Sequence, residues 1–426
     1  MIASLRTGLP PIYESLLPSF FDSAPPAEKK ATCSSCAMCP PPGPQPPGVQ
    51  YFRPDAKCCT YHPSLPNYLV GALLKDGDPS LAEGQRRVRA RIAARIGLTP
   101  HAVATPRKYR VLFNAAREQS FGRSLLLRCP YFIEEGGLCG IWRHREAVCS
   151  TFFCKYDAGA DGEIFWRALG RYLSRVEQML AQHALAVVAP ELAAPYRLPA
   201  GLTLEELEDR PPTQACYAQL WGQWLGREEE LYRHCHEVVA ALDQAALPKL
   251  LGDEHQALLE RLAAAYRRAT VPTLPERLVL STKLEMQAVE GGAITTGYSR
   301  YEPMFLSAPL LEVLGGLRAE ESLAAARMRL WREHEIELPD ELLLSLHQAR
   351  ILLAKGERAT AIERLQALIE TLRAEDAPEL TYVRDQAELT LMSLDASLVQ
   401  RTAAPAGLDQ LPPELLEQLL RQQGAL

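Results

Sequence analysis

Nine of the eleven cysteines stand before residue 155, in a stretch so interrupted by proline and glycine that it cannot close a hydrophobic core unaided. The first group is Cys33, Cys36 and Cys39, spaced C-x2-C-x2-C, followed by the vicinal pair Cys58 and Cys59. The second is Cys129, Cys139, Cys149 and Cys154. A C-x2-C-x2-C loop wraps three thiolates around one metal centre, as ferredoxin loops do. The ferredoxin pattern would put a fourth cysteine just beyond, but here Pro40 follows the third thiol directly, so the ligand set must be completed from elsewhere. Neighbouring side chains diverge, so Cys58 and Cys59 serve different centres or leave one thiol spare. The second group supplies enough thiols alone for a tetrahedral or cuboidal site. Two four-thiolate centres account for all but one of the nine. One full centre plus one with an open position would instead suit substrate binding or redox catalysis.

A disulfide framework is the competing use of so many cysteines, and it belongs to oxidising compartments. The N-terminal MIASLRTGLPPIYESLLPSF breaks its apolar stretches with Pro10, Pro11 and Glu14, and no apolar run approaches membrane-spanning length. A cytoplasmic location with no membrane partner is expected. The net charge of -6 leaves no global positive field, so no nucleic-acid partner is expected either. At 426 residues, with 47% hydrophobic and 23% charged side chains, the chain suits two or three globular domains.

The periodicities predict a mainly α fold. Residues 1–30 form an N-terminal arm and 31–185 an irregular, metal-organised cysteine domain. A helical domain follows over 186–275, a small α+β winged-helix-like module over 276–355, and C-terminal helices over 356–426. Fourteen of the 33 prolines fall in the first 66 residues, and PPPGPQPPG from Pro40 to Gly48 is a stiff connector. The run LPNYLVGALL from Leu65 predicts a short apolar helix. Residues 85–97 place Val88, Ile92 and Ile96 on one helical stripe, opposite a solvated face of Arg86, Arg87, Arg89, Arg91 and Arg95. Beyond Gly162, a long helix aligns Phe165, Leu169, Tyr172, Val176 and Leu180. The stretches LVLSTKLEMQAV and AITTGYSRYEPMFLS, parted by Glu290, Gly291 and Gly292, read as a hairpin. Three helices are expected after it, beginning at Ala308, near Glu320 and at Asp340. Ile362, Leu365, Ile369 and Leu372, then Leu389, Leu391 and Leu394, mark a C-terminal helical hairpin.

The segment CPYFIEEGGLCGIWRHREAVCSTFFCKY, with KCCTYHPSLPNYLVGALL as a second anchor, resembles the YkgJ-type cysteine-cluster family, described as zinc- or iron-chelating. The likeness covers residues 31–182. It implies that Cys58, Cys59, Cys129, Cys139, Cys149 and Cys154 are ligands. Two departures are plain: Arg145-Glu146 stands where the family has Arg-Pro, and a proline-rich insert separates the first cysteines from the vicinal pair. Residues 276–353 resemble the PqqD-like winged-helix fold, with SAPLLEVLGGL matching its first helix and turn. That likeness implies peptide recognition by strand addition at the hairpin edge.

Two functional readings follow. In the first, Cys33, Cys36, Cys39, Cys58, Cys59, Cys129, Cys139, Cys149 and Cys154 bind one or two 4Fe-4S clusters, and the protein has a redox or protein/peptide-modifying role. Phe152, Phe153, Tyr131 and Trp142 would then shield the cluster from solvent. In the second, the thiols hold structural zinc, and the C-terminal half binds a peptide or protein partner. Replacing Cys36 or Cys149 by Ser is expected to release metal and destabilise the N-terminal third.

Other chemical-looking residues read as structural. His234, Cys235 and His236 occupy consecutive helical positions and cannot converge on a metal. His62 and His144 are expected to donate hydrogen bonds to the cluster surroundings. Cys216 is expected to be buried. Asp157, Asp161 and Glu163 read as a turn, because their spacing misses a calcium loop. No phosphate loop, dinucleotide turn, nucleophile elbow or H-E-x-x-H pair is present.

Overall fold

The structure, a computed structural model, describes residues 4–26, 28, 33, 36–40, 43, 50–194, 201–281 and 284–354. The expected hairpin of 357–400 lies outside the described residues. The chain divides into two compact units, Met1–Pro272 and Thr273–Leu426. The described residues are mainly α-helical. None of their helices is long and apolar enough to cross a membrane.

The first unit is built around a short helix that is buried on every side. Strand β1 (Leu65–Pro66) leads into α1 (Asn67–Lys75), whose residues from Asn67 to Leu74 are all buried. A helix apolar all round belongs inside a domain. Helix α2 (Ala82–Ala94) follows, and Arg95 in the left-handed conformation (φ 59°) ends it. Ile96 therefore lies past the helix, one residue beyond the stop that the stripe alone did not mark. The short strands β2 (Leu98–Thr99) and β3 (Ala102–Val103) join β1 in the order β1-β3-β2. Helix α3 (Arg107–Ser120) leads to the cysteine loop, which contains the antiparallel pair β4 (Phe132–Ile133) and β5 (Leu138–Cys139) and the one-turn helix α4 (Ala147–Thr151).

Helix α5 (Gly159–Val188) is the spine of the unit. Phe165, Leu169, Tyr172, Val176 and Leu180 recur along it, and all are buried. It begins before Gly162, so Asp161 and Glu163 are helical rather than in a turn. Asp161 pairs with Arg268 at 3.0 Å and Glu163 with Arg167 at 2.6 Å, and these pairings hold the acids on the helix. Helices α6 (Leu204–Leu207), α7 (Gln214–Trp221), α8 (Glu228–Ala240), α9 (Ala246–Leu251) and α10 (Asp253–Thr270) complete the unit. α8 packs on α1 and α5, and α10 runs along α5. A Cβ on Gly71 would stand 2.0 Å from the Tyr232 carbonyl oxygen, so only glycine permits the α1–α8 crossing.

The N-terminal arm belongs to this core. Its 3-10 turns and the link between them bury Tyr13, Leu16, Leu17 and Phe21. The Tyr13 hydroxyl meets the Tyr68 hydroxyl at 2.7 Å and donates to the buried Glu177 carboxyl at 3.1 Å, tying the arm to α1 and α5.

In the second unit, β6 (Leu278–Leu280) pairs antiparallel with β10 (Leu352–Ala354). The expected hairpin is present as β7 (Glu285–Val289) and β8 (Gly292–Thr296), turning at Glu290 and Gly291, where Gly291 supplies φ 78°. β9 (Met304–Ser307) adds a third antiparallel strand on β8. Helices α11 (Ala308–Gly315), α12 (Leu323–His334) and α13 (Asp340–Gln348) start close to their expected signals. The Ser307 and Ser322 hydroxyls cap the first two. Leu278, Leu306, Leu314, Leu330, Leu343, Leu346 and Ile351 form the separate core of this unit.

Candidate metal centre

The nine early cysteines are drawn together from three pieces of chain, and all are free thiols. Backbone hydrogen bonds set their frame. The Cys129 amide donates to the Cys59 carbonyl at 2.7 Å, and the Phe132 amide donates to the Cys129 carbonyl at 3.1 Å. Phe132 pairs with Cys139 across β4 and β5. The Cys39 amide donates to the Cys36 carbonyl at 3.0 Å, closing the turn of the first motif.

Cys149 is positioned by the pair Arg145-Glu146, a role that residue spacing alone does not mark. Glu146 is the N-cap of α4, and its buried carboxylate accepts from the Val148 amide at 2.8 Å and the Cys149 amide at 2.9 Å. A capping carboxylate stabilises a helix start by about 1 kcal/mol. The Arg145 guanidinium lies 3.4 Å from the centre of the Trp142 ring and donates to the Cys149 carbonyl at 3.2 Å. Arg145-Glu146 is thus the clamp on this cysteine turn.

The mutual fields of the thiols fall into two groups joined at the vicinal pair. Cys33 is raised by burial, then by Cys58 and Cys36. Burial, with Cys58, Cys36 and Cys33, likewise raises Cys154. Burial and a hydrogen bond with Cys36 push Cys39 up to about 11. Cys58 is raised by its hydrogen bond with Cys59, then by burial. That bond lowers Cys59, but burial together with Cys129, Cys139 and Cys149 leaves it raised. Cys129, pushed up to about 12 by burial, and the strongly raised Cys149 both feel Cys139. The groups also touch: Cys129 feels Cys58, and Cys139, pushed up to about 11 by burial, feels Cys33 and Cys58 across the divide. The backbone links agree with the division, since Cys59 and not Cys58 is bonded to the Cys129 chain.

Two cations stand among these thiols. Lys57 is buried and in the left-handed region (φ 52°), and its ammonium donates to the Cys33 carbonyl at 2.6 Å and the Gly137 carbonyl at 2.7 Å. Among the described residues no carboxylate pairs with it. Its charge lowers Cys33 and Cys39, and that of Arg145 lowers Cys33 and Cys139. A donor set of clustered soft thiols with compensating cations fits a thiolate-ligated centre. As the side chains are placed, no three His, Cys, Asp or Glu groups among the described residues stand ready to hold a bare ion.

Several expectations need correction. His62 is not among them: its Nε2 meets the carbonyl of Arg128, the residue before Cys129, at 3.0 Å, and its ring stacks on Tyr109. His144 turns away from the cysteines to Asp76, at 2.8 Å. Trp142 is 48% exposed and shields nothing, because it serves as the platform for Arg145, whereas Tyr131 is fully buried. Cys216 is exposed, because it falls on the outer side of α7 while Tyr217 and Trp221 face inward. His234, Cys235 and His236 diverge as expected, with Cys235 in the core.

The arginine face of α2 is only partly solvated: Arg86 and Arg89 are exposed, whereas Arg87, Arg91 and Arg95 clamp other segments. Arg87 donates to the Pro130 carbonyl at 2.8 Å and the Phe132 carbonyl at 2.9 Å, on either side of Cys129. Arg91 holds the Ile96 and Ala104 carbonyls, Arg89 pairs with Glu229, and Arg95 bonds Gln214 and covers Tyr217.

No protein-family model, curated protein or solved structure matches this chain.

Proposed function

We propose that residues 1–272 carry two iron-sulfur centres and that the protein has a redox or protein/peptide-modifying role. One centre uses Cys59, Cys129, Cys139 and Cys149. The other uses Cys33, Cys36, Cys58 and Cys154, and Cys39 is the spare thiol. The observation that carries this reading is the division of the free thiols into two groups at Cys58 and Cys59. Cys39 is taken as the odd member because the thiols that raise Cys154 are Cys58, Cys36 and Cys33. Lys57, buried and without a carboxylate partner among the described residues, favours an anionic cluster over a neutral arrangement of protonated thiols. A cuboidal cluster would supply one-electron chemistry, or an open iron position for a substrate. The raised thiols must lose their protons to bind metal, so loading weakens as pH falls.

Purification without oxygen, with iron, zinc and acid-labile sulfide measured per chain, tests the reading. About eight iron and eight sulfide are expected for two cuboidal clusters. Cys36→Ser and Cys149→Ser should each lose about half of that iron, while Cys39→Ser should keep it all. One or two zinc ions without sulfide would make the region a structural staple and overturn the proposal.

A second role is favoured by β7, whose residues from Glu285 to Ala288 are exposed and which pairs only with β8 among the described residues. An open strand edge of this kind accepts an added peptide strand, in keeping with a winged-helix-like module.

A further inference from the structure

Strand β7 forms one edge of the sheet β7-β8-β9 in the second unit, and the direction of its main-chain groups can be assigned. The Ala308 amide donates to the Gly291 carbonyl at 2.9 Å, one step outside the facing residues Gly292 and Ser307. In an antiparallel ladder a bond of that kind flanks a pair that does not itself exchange hydrogen bonds. The Gly292 amide and carbonyl therefore point the other way, to Val289 on β7. Alternation along β7 then turns Val289, Gln287 and Glu285 toward β8 and leaves the amides and carbonyls of Met286 and Ala288 pointing outward. Both residues are exposed, and among the described residues β7 pairs with β8 alone.

These outward groups complement themselves. A two-fold axis at Gln287 sets Met286 of one chain opposite Ala288 of another, antiparallel, so that each amide donates to the carbonyl facing it. All of Glu285–Val289 is then paired, and Glu285 falls opposite Val289 of the second copy instead of another carboxylate. The side chains agree with the backbone. Met286 is 56% exposed, yet it shares its sheet face with the buried Ala293 and Leu306. In the pairing it lies against the small Ala288 of the second copy, and the apolar face runs on across the axis. The strand carries neither lysine nor proline, and its register with β8 has no bulge, so it lacks the devices that keep sheet edges apart.

We propose that the occupant of the β7 edge is β7 of a second copy of this chain, joining two three-stranded sheets into one across a two-fold axis at Gln287. The proposal rests on the reading of β7 as an open edge and names the strand that is added to it.

Sedimentation equilibrium of the full chain between about 1 and 100 µM tests it, with reductant present because the exposed Cys216 could link copies by itself. The mass is expected to rise from one chain to two. Exchange of the Met286 and Ala288 amides, read by mass spectrometry with electron-transfer fragmentation, should slow with it. Ala288→Pro removes an outward donor and none that faces β8, so it should weaken association at least about tenfold while the Gln287 amide keeps its protection. A one-chain mass throughout, with fast exchange at Met286 and Ala288, would overturn the self-pairing and leave the edge open to another strand. A one-chain mass with slow exchange at both would mean that the chain covers its own edge, and the reading of β7 as open would fall as well. A two-chain mass unchanged in Ala288→Pro would place the contact elsewhere and overturn the proposal.

Discussion

Lys57 carries more of the argument for an anionic centre than any single cysteine does. A lone ammonium taken from water costs several kcal/mol unless negative charge stands close by, and two carbonyl oxygens supply only dipoles. Among the described residues its charge acts on the thiols Cys33 and Cys39, which burial holds protonated, and the proposed metal centre would match the cation by keeping them as thiolates. Gly137 makes room for it, since a Cβ there would stand 2.6 Å from Lys57 Nζ. Lys57→Met, which keeps the bulk and removes the charge, should lower iron content at the Cys33–Cys58 centre. In whatever cluster remains, the reduction potential should move to more negative values, because the extra electron loses a nearby positive charge. Iron analysis and potentiometric titration beside wild type would show it. Equal iron and equal potential in the two proteins would mean that Lys57 compensates nothing.

Among the elements, α2 matters most to the site, and its role was hidden in the sequence. A Cβ on Gly84 would stand 1.8 Å from the Gly140 carbonyl oxygen, so the helix backbone rests directly on the cysteine loop. Gly84→Ala should push that loop away at a cost of about 1–3 kcal/mol, and iron should be lost at the centre that uses Cys139. Denaturant unfolding together with iron content measures both; an unchanged midpoint with full iron would show that the loop gives way freely. The arginines of α2 explain the limits of sequence reading. Their spacing is the same whether the face meets water or a ring of carbonyls, and only the distant Pro130, Phe132 and Ala104 decide between the two. The α5 stripe was legible because its period reports burial directly, and α11 and α13 were legible because prolines sit at their starts. Gly297 and Pro303 part β8 from β9, but Tyr298 and Tyr301 between them carry the aromatic pattern across the break, so the two strands read as one stretch. At the site, the candidate ligands could be read from spacing alone. The Glu146 cap and the turning of His144 toward Asp76 could not, since each depends on a conformation or a partner that spacing does not encode.

At the scale of the whole molecule, the cysteine region does not stand as an independent third. α4 packs on α5, and α5 shares its core with α8 and α10, so a loss of order among the cysteines is transmitted as far as residue 270. The second unit has its own apolar core of Leu306, Leu314, Leu330, Leu343 and Leu346, with no cysteine in it. Chelation under mild oxidation, which strips thiolate-held metal, should therefore unfold the first unit as a body and leave the second folded. Hydrogen exchange read by mass spectrometry before and after treatment would distinguish the cases. Protection should fall in the cysteine loop and also along α1, α5, α8 and α10, while α11, α12 and α13 keep theirs. Loss confined to residues 31–185 would mean that α5 is held by its helical partners without help from the metal. Simultaneous loss in both units would mean that the core of the second unit is too weak to stand on its own burial. The selective result is the one expected, because metal-binding free energy acts as folding free energy only for the residues whose packing closes around the ligands.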